Sequence, residues 1–274
     1  MQPRSNPLGI ATKQESVMKT IDLSHGMVFV TGGGGSIGSA IAVEASEAGA
    51  SVAIADSNLE VAHEVAERIT SRGGIAKAYQ VDVTQSSSIR DAMSEAVKNV
   101  GPMIGLVTGA AILRTGSVET QSEDGWRDIM AVNVEGTFKA VQCGVEHLRA
   151  THGAIVTLGS VSAYIGSADG AAYTTTKGAV LSFTYASAGD LAPLGIRVNA
   201  VSPGWVDGGF THEAMSKMEN PEELVDTARR MHYLGRMATP TDVANAAVWL
   251  LSDQAAFVTG TSLLVDGGYM IKRG

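Results

Sequence analysis

Tyr173 and Lys177 stand four residues apart in the run Tyr173, Thr174, Thr175, Thr176, Lys177. On a helix that spacing projects both side chains from one face. A free phenol has a pKa of about 10, too high for an efficient base near neutrality, and a neighbouring ammonium favours its ionised form. The pair could therefore take a proton from an alcohol or return it to a ketone, assistance typically worth about 10²–10⁴ in rate. Alone, such a pair more often packs or faces solvent, so its surroundings decide.

A second group points to a nucleotide. Thr31 is followed by Gly32, Gly33, Gly34, Gly35, Ser36, Ile37 and Gly38, and then Ala40, Ile41, Ala42 and Val43 continue helically. A diphosphate needs close, unobstructed approach to N–H groups at a helix N-terminus, where the helix dipole favours negative charge. Gly33, Gly35 and Gly38 match G-x-G-x-x-G, a weak signal alone that gains weight from its place between a strand and a helix. Eighteen residues beyond Gly38, Asp56 closes the second apolar run. A carboxylate there can accept hydrogen bonds from both hydroxyls of an adenosine ribose and repels a 2′-phosphate. Neither Gly35 nor Ser57 is basic, so the cofactor is expected to be NAD, with NADP disfavoured. Asp56 could also cap the following helix.

These groups need elements to hold them. From residue 27 the runs MVFV, SVAIA, AKAYQV, MIGLVT, GAIVTLG, IRVNAVS and SLLVD read as strands. Between them Leu59, Ala62, Val65 and Ile69, and likewise Ile89, Ala92, Ala96 and Val100, recur at helical steps with one apolar stripe. Strands apolar nearly throughout, alternating with helices, predict an α/β fold with a central parallel sheet covered on both faces. Residues 21–274 are expected to form one domain, with 1–20 a flexible N-terminal arm. That arm could clasp a twin subunit, or translation could begin at Met18. Residues 205–239 lack strand grammar and predict a helical insertion acting as a substrate lid, or a purely structural flap.

In this order and spacing the motifs resemble the short-chain dehydrogenase/reductase family over about residues 22 to 270. Tyr173 and Lys177 match its Tyr-x-x-x-Lys motif, Ser160 stands thirteen residues before the tyrosine, and Asn133 lies in VNVEGTF. Asp82 and Val83, the RVNAVSPG segment and the closing FVTGTSLLVDGG match further family features. The resemblance implies a Rossmann-type, doubly wound sheet of seven parallel strands, usually in homodimers or homotetramers. It implies a catalytic tetrad of Asn133, Ser160, Tyr173 and Lys177. In it Lys177 also binds the nicotinamide ribose, Ser160 holds the substrate oxygen, and Asn133 holds a water leading from Lys177 to solvent. Expected cofactor contacts are Gly32, Gly35, Ser36, Ile37, Gly38, Asp56, Asp82, Val83, Ala110, Tyr173, Lys177, Pro203, Gly204 and Val206. The substrate wall is expected from Ser162, Tyr164, Trp205 and Phe210, joined by Leu113, Arg114 and His212. Tyr164 and Trp205 suggest a partly aromatic pocket and a cyclic substrate, while Arg114 permits a weakly anionic one.

Three departures from the family pattern stand out. Ser36 replaces a glycine of the phosphate turn and could cap the helix. Thr108, Gly109, Ala110 and Ala111 stand where the family has Asn-Asn-Ala-Gly, so bracing bonds must be remade. Gly208 replaces a threonine near the carboxamide, a contact that could pass to the Val206 backbone or Thr211.

The net charge of −8 disfavours a nucleic-acid backbone or an anionic membrane as the main partner. The lone Cys143 suits a reducing, cytoplasmic setting and reads as a buried thiol, and no apolar run suggests a signal or membrane span. The six histidines show no metal-ligand spacing, so no metal is expected. The reading is an oxidoreductase passing a hydride between NAD(H) and a secondary alcohol or ketone. A reductase of 3-oxoacyl thioesters is a second reading, weakened by Asp56, and a non-catalytic dinucleotide-binding sensor or scaffold is a third.

Overall fold

The computed structural model describes residues 20–272. The expected arm therefore lies, but for Thr20, outside the described residues, as does Met18.

All seven expected strands form: β1 (Met27–Thr31), β2 (Ser51–Asp56), β3 (Ala76–Gln80), β4 (Met103–Thr108), β5 (Ala154–Leu158), β6 (Arg197–Pro203) and β7 (Ser262–Val265). They pair in parallel in the order β3-β2-β1-β4-β5-β6-β7. Both faces of β1 are buried, which explains its unbroken apolar run. Val28 and Val30 pack with Ile41, Ala42 and Ala45 of helix α1 (Ser36–Glu47), and with α2 (Leu59–Thr70) and α9 (Pro240–Leu251). Met27 and Phe29 face the other way, toward α3 (Ser86–Asn99), α5 (Gly136–Arg149) and α6 (Ala171–Leu191). Of the expected stripes, Ala62, Val65 and Ile69 are buried on α2 and Ile89, Ala92 and Ala96 on α3, while Leu59 and Val100 are half-buried. Chain progression reverses at β1, whose neighbours are β2 and β4. In such sheets a crevice opens beyond the carboxyl ends of the strands at that reversal.

Two elements shape that crevice. Between α4 (Glu123–Ile129) and α5 the helix widens into a π turn, Met130–Glu135, with Asn133 inside it. Residues 205–239 carry two helices, α7 (Phe210–Met215) and α8 (Pro221–Met231). The excursion is closed at its base: Ala238 N–H donates to Trp205 O at 2.9 Å and Asp207 N–H to Ala238 O at 2.8 Å. Gly208 (φ 156°) and Gly209 (φ 51°) supply the backbone conformations for its sharp start. No described helix is long and apolar enough to cross a membrane.

Candidate active site

A cleft of about 640 Å³ opens beyond the carboxyl ends of the strands. At one end lies the glycine turn. Gly32 has φ +64°, and a Cβ there would stand 2.6 Å from Ala110 N. A Cβ at Gly38 would stand 2.1 Å from Gly32 O, so only glycine lets the start of α1 close over the turn. Gly35 is the N-cap of α1 and no side chain caps the helix. The capping expected of Ser36 is thus not made: Ser36 is the first helical residue. Its Oγ instead faces residue 208, standing 2.3 Å from where a Cβ on Gly208 would be. A glycine at 208 is what gives that hydroxyl room. The uncapped α1 terminus and the glycine surface beside it fit a dinucleotide diphosphate.

The Asp56 carboxylate lies on this cleft, where it accepts from Gly34 N–H (Oδ2, 3.0 Å) and Asn58 N–H (Oδ1, 3.0 Å). Helix α2 is capped by Asn58, not by Asp56. Asp82 and Val83 also line the cleft, Asp82 accepting from Thr84 N–H at 2.9 Å and Thr84 Oγ1 at 2.7 Å. Ile37, Ala110, Pro203, Gly204 and Val206 complete the expected nucleotide wall. The bracing after β4 is remade through Thr31. Its carbonyl accepts from Gly109 N–H at 3.0 Å and its hydroxyl from Ala110 N–H at 3.4 Å, while the buried Thr108 Oγ1 has no partner among the described residues.

Ser160, Tyr173 and Lys177 meet in the middle of the cleft. Helix α6 presents the last two from one face, as their spacing predicted. Lys177 is 5% exposed, its Nζ donates to Leu158 O at 2.8 Å, and it lies 5.5 Å from the Tyr173 ring centroid. Ser160 Oγ accepts from Ser162 N–H at 3.1 Å. Burial pushes the Tyr173 phenol up to about 12, with a hydrogen bond from Ser160 acting in the opposite sense. Burial also pushes the Lys177 ammonium down to about 8. The expectation of an acidic phenol is therefore not met by these residues alone. Desolvation dominates, and the Lys177 ammonium directs its proton at the Leu158 carbonyl rather than at the phenol.

Asn133 is 2% exposed and its side chain is a brace. Oδ1 accepts from Ile112 N–H at 2.8 Å, and Nδ2 donates to Ile112 O at 3.0 Å and Thr176 Oγ1 at 3.2 Å. Thr176 Oγ1 in turn donates to Tyr173 O at 2.8 Å. The π turn aims the amide inward, where it ties the loop after β4 to the helix carrying Tyr173. Both amide N–H groups are thereby used. A water held by this side chain would have to take the remaining lone pair of Oδ1.

Away from the glycine turn, Leu113, Ser162, Trp205 and Phe210 line the cleft wall. The Phe210 ring meets Tyr173 edge-on, centroids 6.2 Å apart. Three expected residues are absent from that wall. Tyr164 is exposed and interacts with Tyr185, Arg114 points to Leu113 O (3.1 Å) and Asp128 (3.6 Å), and His212 pairs with Asp207 at 2.8 Å. The wall includes residues the sequence reading passed over: Ile165, Ser167, Ala168, Asp169 and Tyr269. The Asp-Gly at 169–170, just before α6, was the available signal for the first group. Tyr269 follows the Asp266 turn, whose carboxylate accepts from Gly268 and Met270 N–H. His232 holds Trp205 in place. Its Nε2 accepts from Trp205 N–H at 3.2 Å, with Nδ1 2.6 Å from Ala228 O. Among the described residues no cluster of three His, Cys, Asp or Glu is placed to hold a metal.

A family model described as Enoyl-(Acyl carrier protein) reductase matches residues 33–270. The chain is 41% identical to 2-(S)-hydroxypropyl-CoM dehydrogenase 3 of Xanthobacter autotrophicus, over 90% of this chain and 97% of that one. The chain belongs to the short-chain dehydrogenase/reductase family. Another relative from that organism, 41% identical over 81% of this chain and 95% of its own, is named inactive 2-(S)-hydroxypropyl-CoM dehydrogenase 2. Cyclopentanol dehydrogenase of a Comamonas species is 35% identical over 89% of this chain and 96% of that one. The crystal structure of gox2181 superposes with a TM-score of 0.85 at 31% identity, covering 92% of this chain and 98% of that one. As a member of this family the protein is an oxidoreductase with NAD or NADP as cofactor, and its doubly wound seven-stranded sheet is the family fold.

Proposed function

We propose that this short-chain dehydrogenase/reductase interconverts a secondary alcohol of moderate size and its ketone with NAD(H), Tyr173 carrying the proton. The observation that carries the reading is the placement of Tyr173 and Lys177 on one turn of α6, with Ser160 beside the phenol, in the cleft that begins at the glycine turn. A nicotinamide held there supplies the acceptor or donor of hydride. For oxidation, Tyr173 Oη takes the hydroxyl proton as the C–H bond opposite is broken; for reduction it returns a proton to the carbonyl oxygen. Ser160 orients the substrate oxygen. Lys177 would hold the nicotinamide ribose and steady the phenolate. Asn133 positions Ile112 and, through Thr176, the turn of α6 that bears Tyr173. Residues 205–239 act as a lid, closed at the base and pivoting at Gly208 and Gly209.

NAD is favoured over NADP by Asp56. Its carboxylate faces the ribose end of the cleft, and among the described residues Lys177, far down the cleft on α6, is the only lysine or arginine in the lining. A 2′-phosphate would meet a like charge with no cation to offset it. Cyclopentanol dehydrogenase among the relatives, and the aromatic wall of Trp205 and Phe210, support a cyclic substrate. The half-exposed Phe138 of α5, edge-on to Phe183 of α6 at 6.0 Å, supports burial of this face in a homodimer or homotetramer. Cys143 is buried and its thiol pushed up by burial, which suits a reducing, cytoplasmic setting.

The test is a screen of secondary alcohols and ketones with both nucleotides, read at about 340 nm, followed by Tyr173→Phe on the best substrate. We expect turnover to fall by about 10²–10⁴ while NADH binding is retained. Near-parent turnover in Tyr173→Phe would overturn the proton-transfer assignment. Preference for NADP with a 3-oxoacyl thioester would favour the thioester-reductase reading, against which Asp56 counts. NADH binding without turnover of any substrate would favour the sensor.

A further inference from the structure

Asp169 combines three features that its place in the chain does not explain. Its φ is +55°, the left-handed region that residues other than glycine rarely adopt. Its backbone is fixed there, since Gly116 N–H donates to Asp169 O at 2.9 Å and Gly116 bridges Gly170. The residue lines the cleft, its side chain has no hydrogen bond or ion pair among the described residues, and it does not cap α6, whose N-cap is Gly170. The fold therefore holds an exposed, unpaired carboxylate at the substrate end, in a backbone conformation that has to be enforced.

The charges around it make this consequential. The other carboxylates on the cleft are Asp56, which closes β2, and Asp82, which follows β3, both toward the proposed adenosine end. Lys177 is buried and bonded to Leu158 O. Arg114, the cation nearest in sequence to the substrate wall, is turned to Asp128 and stands outside the lining. Among the described residues no lysine or arginine offsets Asp169 at that end of the cleft.

We propose that Asp169 is a specificity-determining residue that turns away anionic substrates and selects alcohols whose second polar group is neutral or cationic. A carboxylate only accepts hydrogen bonds, so a hydroxyl, amide or ammonium on the substrate finds a partner there, and a carboxylate, sulfonate or phosphate meets a like charge. This inference rests on the secondary-alcohol reading above. It narrows the Arg114-based expectation of a weakly anionic substrate to its opposite.

The experiment compares 3-hydroxycyclohexane carboxamide with 3-hydroxycyclohexane carboxylate, a neutral and an anionic alcohol of nearly equal size. The parent enzyme should prefer the carboxamide in kcat/KM by about tenfold or more at low salt. That ratio should shrink as ionic strength rises from about 0.02 to about 0.3 M, because screening weakens the repulsion. Asp169→Asn keeps a residue type that tolerates the left-handed backbone and removes only the charge. In it the ratio should fall below about threefold and lose its salt dependence, and Asp169→Lys should reverse the preference. An unchanged ratio and salt slope in Asp169→Asn would overturn this inference while leaving the dehydrogenase reading standing. Failure of every alcohol to turn over with either nucleotide would instead remove that reading, and this one with it.

Discussion

Replacing Lys177 by methionine tests whether the ammonium sets the acidity of Tyr173. Nζ lies 5.5 Å from the phenol ring centroid. At an effective permittivity of about 20, a unit charge at that range is worth about 3 kcal/mol to a phenolate, or about 2 pKa units. In the protein without cofactor burial holds the phenol near 12 even with Ser160 and Lys177 in place, so a useful base also needs the positive charge of an oxidised pyridine ring. Alcohol oxidation needs the phenolate, so kcat/KM for oxidation should rise with pH. Removing the cation raises the phenol pKa and moves that rise toward alkali by about 2 units, a loss of about 100-fold at a fixed pH on the rising limb. The assay is initial NADH formation at about 340 nm across pH, with NADH affinity measured separately by fluorescence.

Stability provides a control. The folded pKa of Lys177 is lowered to about 8, so burial of its charge opposes folding in full below pH 8. That opposition fades between pH 8 and the ordinary lysine value of 10.5, where the folded protein releases a proton the unfolded chain keeps. Methionine removes this cost but leaves Leu158 O without its partner, a loss of about 1–3 kcal/mol. The two effects oppose each other, so the variant should melt close to the parent. A pH profile lowered in height but unshifted would refute the acidity argument and leave Lys177 only a role in holding the cofactor.

Two further substitutions test the frame around this pair. Gly38→Ala places a Cβ against the Gly32 carbonyl, where the gap is 2.1 Å. It should weaken NADH binding by about tenfold or more in a fluorescence titration, and parent-like affinity would show that the turn has another conformation available. Asn133→Ala strips both main-chain groups of Ile112 and the Thr176 hydroxyl of a buried partner. Urea unfolding should show a loss of about 2–4 kcal/mol, and a loss under about 1 kcal/mol would show that water replaces the amide.

Much of the fold was legible because a sheet covered on both faces leaves a plain mark. Each strand became a short apolar run, and helices such as α2 and α3 kept one apolar stripe. The nucleotide end of the site was legible for a related reason: Gly32, Gly38 and Asp56 act locally, at the ends of β1 and β2. The substrate end was not. Tyr164, Arg114 and His212 follow strand ends as Leu113 and Phe210 do, but they turn to Tyr185, Asp128 and Asp207. No spacing rule could foresee those partners, because each choice depends on which groups the packed loops bring near.

The amino-acid order alone determined that Tyr173 and Lys177 share a helical face, that a strand runs through glycines into α1, and that a carboxylate closes β2. These are consequences of local periodicity and backbone freedom, which operate over a few residues. Only the tertiary structure decided how far burial moves the two proton-carrying groups, that Asn133 spends its amide on Ile112 and Thr176, and that Asp169 rather than Arg114 lies on the cleft. Desolvation, hydrogen-bond choice and the direction of a side chain are set by neighbours distant in the chain, and they exist only once the sheet has brought its loops together.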